Sequence, residues 1–236
     1  MKRKKTQYPR SKHIFYLPVL IIRGVLWFPA LIIVHFFLKM EVKGKDNLKN
    51  IPNGRVIFAA NHSSEIDPYA FQYSLSFPSR FVPLYFVSLT KKYYSFSKFG
   101  LRSFIYGGIL FRLMGAYPVY KGLNNFEKAF IHHINILKNN NSLLLFPEGR
   151  KNSNGIGSAR PGIIFLSRHT HASVVPVKIS GTNKLDLKTI FLRKRKITIT
   201  YGKPISYLNF CPEKTDLTTE DMTHLAEQVL QKIKEL

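Results

Sequence analysis

Two short apolar runs, each ending abruptly on a polar turn, constrain this chain more than any other feature. Arg55-Val-Ile-Phe-Ala-Ala60 leads into Asn61-His-Ser-Ser-Glu-Ile-Asp-Pro68, and Ser142-Leu-Leu-Leu leads into Phe146-Pro-Glu-Gly-Arg150. Apolar runs this short, bounded by turn residues, read as buried strands. Two further strands are expected, from Val174 to Ile179 and from Lys196 to Tyr201, the latter with β-branched alternation. Elsewhere the spacing is helical. Phe126, Phe130, Ile134 and Leu137 recur on one face of a helix that should end at Asn139-Asn140-Asn141. Near the C-terminus, Thr218 or Thr219 can cap a helix bearing Met222, Leu225, Val229 and Ile233. Strands alternating with helices predict an α/β fold with a central mixed sheet flanked by helices.

At 236 residues the chain can bury one substantial core, and 45% hydrophobic residues suffice for it. The single cysteine, Cys211, excludes an intramolecular disulfide framework and a thiolate metal cluster, which fits a reducing compartment. Lying before Pro212 and outside both polar turns, it reads as a small apolar filler. The formal charge is +23, and six of the thirteen carboxylates fall between Glu213 and Glu235, so the rest of the chain is more basic still. Such a field attracts anionic headgroups, nucleic acid or acidic carriers, and charge alone does not choose among them.

The first thirteen residues are a basic tail. Residues 14–40 are almost wholly apolar or aromatic, interrupted by Arg23, Pro18 and Pro29. The length permits a transmembrane helix. Arg23 near its middle would cost about 2.5–3.5 kcal/mol on insertion scales, and lysines flank the segment on both sides. We therefore expect two short helices lying in one leaflet rather than a single span. The organisation expected is a basic tail over 1–13, a membrane-associated helical segment over 14–40, one domain over 41–212, and a C-terminal amphipathic helix within 213–236 packed on that domain.

His62 and Asp67 are the first candidates for chemistry. On a continuous helix, positions five apart lie about 140° around the axis and would not meet. Pro68 disfavours helical geometry at Asp67 and suits a first helical turn. A loop can then fold the carboxylate back onto the imidazole, fixing its tautomer and supporting the imidazolium. The plainer reading is that Asp67 is an N-cap and Asn61 and Ser63 are ordinary turn residues. In the second turn, Glu148 is either a simple exposed turn residue or a group that orients an arginine or binds a substrate hydroxyl. Arg150, Lys151 and Arg160 cluster around glycines 149, 155, 157 and 162, a composition suited to a phosphate. His132 and His133 are adjacent on a predicted helix and cannot share a metal from one face, so a satisfied or exposed role is expected. No metal cluster is visible. The run Arg193-Lys194-Arg195-Lys196 reads as a solvated basic rim.

The order of these blocks resembles the glycerolipid acyltransferases of the 1-acylglycerol-3-phosphate type. Those proteins carry Asn-His-x-Ser-x-x-Asp, Gly-Ala-x-Pro-Val-x-Arg, Phe-Pro-Glu-Gly and Val-Pro-Val blocks. Here they stand as Asn61 to Asp67, Gly115-Ala-Tyr-Pro-Val-Tyr-Lys121, Phe146 to Arg150 and Val175-Pro-Val177, with Tyr201-Gly-Lys-Pro-Ile205 resembling a later strand ending. The match runs from about Gly54 to Ile205. Lys121 departs from the usual arginine, and Arg150-Lys151 from a common Thr-Arg, which keeps charge but loses a bidentate fork at Lys121.

The resemblance implies that His62 is a general base for a lipid hydroxyl that attacks an acyl thioester, with Asp67 orienting it. It further implies that Lys121 and Arg150 bind the acceptor phosphate, with Glu148 and Gly149 shaping that pocket and Arg160 assisting. The expected activity is transfer of a fatty acyl group from acyl-CoA or acyl carrier protein to 1-acylglycerol 3-phosphate, giving phosphatidic acid in phospholipid biosynthesis. No cofactor is expected beyond that co-substrate. The expected partner surface is an anionic membrane, at its cytoplasmic face. Another lysolipid, such as a lyso-ornithine lipid or a glycolipid, is the alternative acceptor. A non-catalytic basic membrane-binding module is the alternative of another class. No nucleic-acid partner is expected, because no reading module accompanies the charge. The sequence specifies no oligomeric state.

Overall fold

The structure is a computed structural model. It describes residues 39–49, 51, 55–75, 79–104, 106–123, 125–152, 155–183, 195–210 and 216–236, with 17–19, 21 and 24–25 from the N-terminal segment.

Seven strands form one sheet: β1 (Lys39–Lys43), β2 (Val56–Ala60), β3 (Leu84–Leu89), β4 (Ala116–Val119), β5 (Ser142–Leu145), β6 (Ser173–Ser180) and β7 (Lys196–Tyr201). Their spatial order is β1-β7-β6-β2-β5-β3-β4. All neighbours are parallel except β6 and β7, so the sheet is mixed, as expected. β2 and β5 are buried at every position, which suits continuous apolar runs in parallel strands covered on both faces. β7 alternates, with Ile197, Ile199 and Tyr201 inward.

Four longer helices cover the sheet: α1 (Asp67–Ser74), α2 (Ile131–Lys138), α3 (Gly162–Thr170) and α4 (Thr219–Glu235). Ile57 and Ala59 of β2 face a core shared with α2, α3 and α4, including Ile134, Ile163, Val229 and Ile233. Val56, Phe58 and Ala60 face the other side, against Ala70 and Phe71 of α1. There Phe58 lies 5.0 Å from Phe71 and 5.3 Å from Phe81 between ring centroids. Thr218 does cap α4, in a capping box with Asp221.

Several elements differ from expectation. The sheet begins at Lys39, two residues before the boundary placed at Glu41, because Lys39 and Met40 pair with Lys196 and Ile197 of β7. The helix expected from Phe126 breaks at Phe130, separating a short turn (Phe126–Ala129) from α2. At the break the Phe130 ring packs on Gly162, where an added Cβ would sit 2.5 Å from it. Arg195 and Lys196 are exposed, as a solvated rim requires, and Lys196 Nζ also pairs with Glu41 at 3.0 Å. Arg193, Lys194 and Cys211 lie outside the described residues.

Most of the expected membrane segment over 14–40 also lies outside the described residues. Of its described positions, Val19 is buried in the first core, while Leu17, Ile21 and Val25 are exposed. Among the described residues no helix is long and apolar enough to cross a membrane.

Candidate active site

Parallel register gathers the two polar turns. Ala59 pairs with Leu145 and Ala60 with Val177, so the chain leaves β2, β5 and β6 at the same edge of the sheet. Asn61 fixes the first exit. Its amide donates to the Ile179 carbonyl at 2.9 Å and accepts from the Ile179 N–H at 2.7 Å.

The loop then returns Asp67 to the imidazole. His62 Nδ1 lies 2.9 Å from Asp67 Oδ2, and that oxygen also accepts the N–H groups of Ser63 at 2.7 Å and Ser64 at 2.8 Å. The other oxygen accepts the Thr182 hydroxyl at 2.6 Å. Asp67 is fully buried, so all of its acceptor capacity is turned inward onto these donors. The helix starts at Asp67 itself rather than after it, with Ala70 N–H on the Ile66 carbonyl at 2.9 Å. The N-cap residue is Ile66, whose side chain makes no capping bond. The carboxylate thus serves the histidine loop rather than the helix end.

With Nδ1–H donating to Asp67, Nε2 presents a lone pair. The His62 side chain is 21% exposed. Its ring stacks on Phe146 with centroids 4.1 Å apart.

Glu148 is not the exposed turn residue of the plainer reading. It is buried, and Oε1 accepts the His62 N–H at 3.0 Å. Oε2 accepts the Gly157 N–H at 2.7 Å and the Asn152 side-chain amide. Asn152 N–H in turn donates to the His62 carbonyl at 2.8 Å. A buried carboxylate satisfies itself with the nearest N–H donors, and here those belong to the backbone of the histidine loop. Glu148 therefore ties the histidine loop to the turn after β5.

Gly149 makes the turn that allows this, at φ +65°, with its N–H on the Phe146 carbonyl at 3.0 Å. Its carbonyl accepts Lys121 Nζ at 3.4 Å, and an added Cβ would approach the Arg160 side chain at 3.3 Å. Lys121, Gly149 and Arg160 thus share one corner, with exposed Arg150 next in the chain. Partial burial, and then the charge of Arg160, hold the Lys121 ammonium below the usual lysine range. Among the described residues no carboxylate is paired with either cation. Two close, incompletely hydrated cations are relieved by an anion.

His132 and His133 belong to the core. His132 Nε2 lies 3.1 Å from the Tyr120 hydroxyl, and His133 Nε2 lies 3.1 Å from the Tyr117 carbonyl. Burial lowers His132 to about 4, helped by Arg112, and His133 to about 3, helped by His132. Among the described residues no group of three or more His, Cys, Asp or Glu could hold a metal ion.

Sequence reasoning missed Thr182, Phe146 as a stacking surface and Asn152, and placed Gly157 with a phosphate cluster where its N–H is held by Glu148. Thr182 follows a predicted strand, but the pairing of that strand with β2, which brings it to the histidine loop, is not written in the sequence.

The fold and site together define an α/β protein holding a carboxylate-backed histidine beside a cationic corner. A profile of the Acyltransferase family matches residues 39–180, more than half of the chain, and the chain belongs to that family. It is 26% identical over 162 residues to the 1-acyl-sn-glycerol-3-phosphate acyltransferase LPAT1, chloroplastic, of Arabidopsis thaliana, covering 68% of this chain and 40% of that one. It is 27% identical over 155 residues to the 1-acyl-sn-glycerol-3-phosphate acyltransferase of Borreliella burgdorferi, covering 65% and 56%. For that of Streptococcus pneumoniae the values are 28% over 162 residues, covering 67% and 54%. The matched part thus spans about half the length of these relatives. The crystal structure of the 1-acyl-sn-glycerophosphate (LPA) acyltransferase PlsC from Thermotoga maritima shares the fold, with a TM-score of 0.58 at 21% identity, over 93% of this chain and 81% of that one.

Proposed function

We propose that this protein moves a fatty acyl group from an acyl thioester, acyl-CoA or acyl carrier protein, to the free hydroxyl of 1-acylglycerol 3-phosphate. The acceptor's phosphate sits against Lys121, Arg150 and Arg160. His62 Nε2 takes the hydroxyl proton as the oxygen attacks the thioester carbonyl, and Asp67 stabilises the imidazolium. The tetrahedral intermediate expels the thiolate, which takes the proton back from His62. The product is phosphatidic acid, made at a membrane on the face where such thioesters are available. Names of relatives support the acceptor. The exposed Leu17, Ile21 and Val25, four residues apart, support membrane association.

The observation that carries this reading is the 2.9 Å His62–Asp67 contact, held on the same sheet edge as the unneutralised Lys121–Arg160 corner. The test follows thioester consumption by purified protein with lysophosphatidic acid. Replacing His62 by Ala should lower turnover roughly 10²–10⁴-fold. Undiminished turnover would refute the mechanism. A panel of lysolipids run with both donors fixes the acceptor, for which Lys121 in place of arginine allows a headgroup other than a simple phosphomonoester.

A further inference from the structure

The chain between β3 and β4 has two unlike sides. Inside is an aromatic cluster, with Tyr94 at 5.4 Å from Phe99, 5.5 Å from Tyr106 and 5.8 Å from Phe111 between ring centroids. Tyr106 also packs on Phe111 at 5.0 Å, and its hydroxyl donates to Glu65 at 2.9 Å. This ties the segment to the turn that carries His62.

Outside, the segment is apolar and bare. Phe96, Leu101, Phe104 and Ile109 are 61%, 78%, 70% and 67% exposed, and Leu110 is 49% exposed. The Phe96 and Phe104 rings lie 6.2 Å apart. Single exposed apolar side chains are ordinary, but a concentration of them in one short segment marks a contact surface. The same stretch carries Lys91, Lys92, Lys98, Arg102 and Arg112, and no Asp or Glu occurs between Asp67 and Glu127. Lys91 and Lys92 are exposed.

We propose that this segment is a membrane-docking surface additional to residues 14–40. Its outer apolar side chains enter the headgroup–acyl boundary of an anionic bilayer while its lysines meet lipid phosphates. The proposal rests on the lipid-acceptor reading above and adds where the lipid surface lies. Charge and side-chain chemistry select the bilayer. A second copy of a chain with net charge +23 would repel this surface. Nucleic acid would have no use for exposed Leu101, Ile109 and Leu110, which cannot stack on bases. Docking here puts the mouth of the histidine site at headgroup level, where the acceptor's phosphate resides.

The test uses the full chain with Cys211→Ser, which leaves no other cysteine. Leu101→Cys or Phe104→Cys then carries an environment-sensitive fluorophore, and Asn139→Cys at the opposite end of the strands, just before β5, is the control. Phosphatidylglycerol vesicles should shift emission to the blue and raise it about twofold or more at 101 and 104, as expected for a label entering the boundary region. The label at 139 should not respond. Replacing Lys91 and Lys92 by Ala should weaken the response about fivefold per lysine at low salt. Silent labels at both positions overturn the proposal, whether or not the protein floats with the vesicles. A response that needs only high protein concentration, without vesicles, also overturns it. Transfer to a monomeric short-chain lysophosphatidic acid is measured in parallel. Retained transfer with silent labels removes the docking surface alone, and responsive labels without transfer remove only the enzymatic reading.

Discussion

Thr182 holds one oxygen of Asp67 while His62 and two backbone N–H groups hold the other. Its hydroxyl also meets Ser63 Oγ at 3.1 Å, so it braces the loop on both sides of the carboxylate. Replacing Thr182 by Val keeps the shape and removes the donor. A hydrogen bond to a charged group contributes about 1.5–3 kcal/mol, so kcat should fall roughly 10–100-fold. The acid limb of the pH profile of kcat/KM should move as well, and Thr182→Ser should restore both. A merely structural role would lower stability and leave the pH profile in place. His62 and Asp67 were readable because Pro68 forces a loop between them. Thr182 was not, because its contact with Asp67 spans 115 positions and only the strand order brings the two together. The partners of Glu148 were hidden for a related reason. The arginine beside it is visible in the sequence, whereas the backbone N–H groups that hold it are not.

The helix α2 carries a pH dependence of its own. His132 and His133 take a proton near 6.5 when unfolded, but at about 4 and about 3 when folded, because burial disfavours the charged ring. Between those values the unfolded chain binds more protons, so stability is complete above the unfolded value and is lost as pH falls toward 4 and then 3. Urea midpoints taken at descending pH should show this decline, and His132→Gln should make it shallower without abolishing it. The strands were unevenly legible. β2, β5, β6 and β7 have clear apolar or alternating patterns. β4 is four residues long and contains Pro118, which would argue against a central strand; it is tolerated because β4 is the last in the sheet order. β3 lies in an aromatic stretch without period, so its pairing with β5 and β4 is what identifies it.

Across the chain, a net charge of +23 acts on every anionic reactant at once. An acidic thioester carrier should approach faster than its neutral analogue, and the advantage should shrink with salt. We expect kcat/KM for a coenzyme A or carrier-protein donor to fall about tenfold or more from low to high ionic strength, with kcat far less affected. Initial rates across a salt series with a monomeric acceptor measure this without the vesicle surface. An unchanged kcat/KM would mean that the charge serves the lipid and not the donor.

The two halves of the site are also fastened to each other through their main chains. His62 gives its N–H to Glu148 and takes the N–H of Asn152 on its carbonyl, so neither loop can peel away without releasing the other. In the proposed reaction the base would thus be aimed before any lipid arrives, with little binding energy diverted to arranging it. The cost of that rigidity is an expected all-or-none character: heat or denaturant that loosens either loop should dismantle the proposed proton-transfer apparatus in one event, leaving nothing half-competent behind.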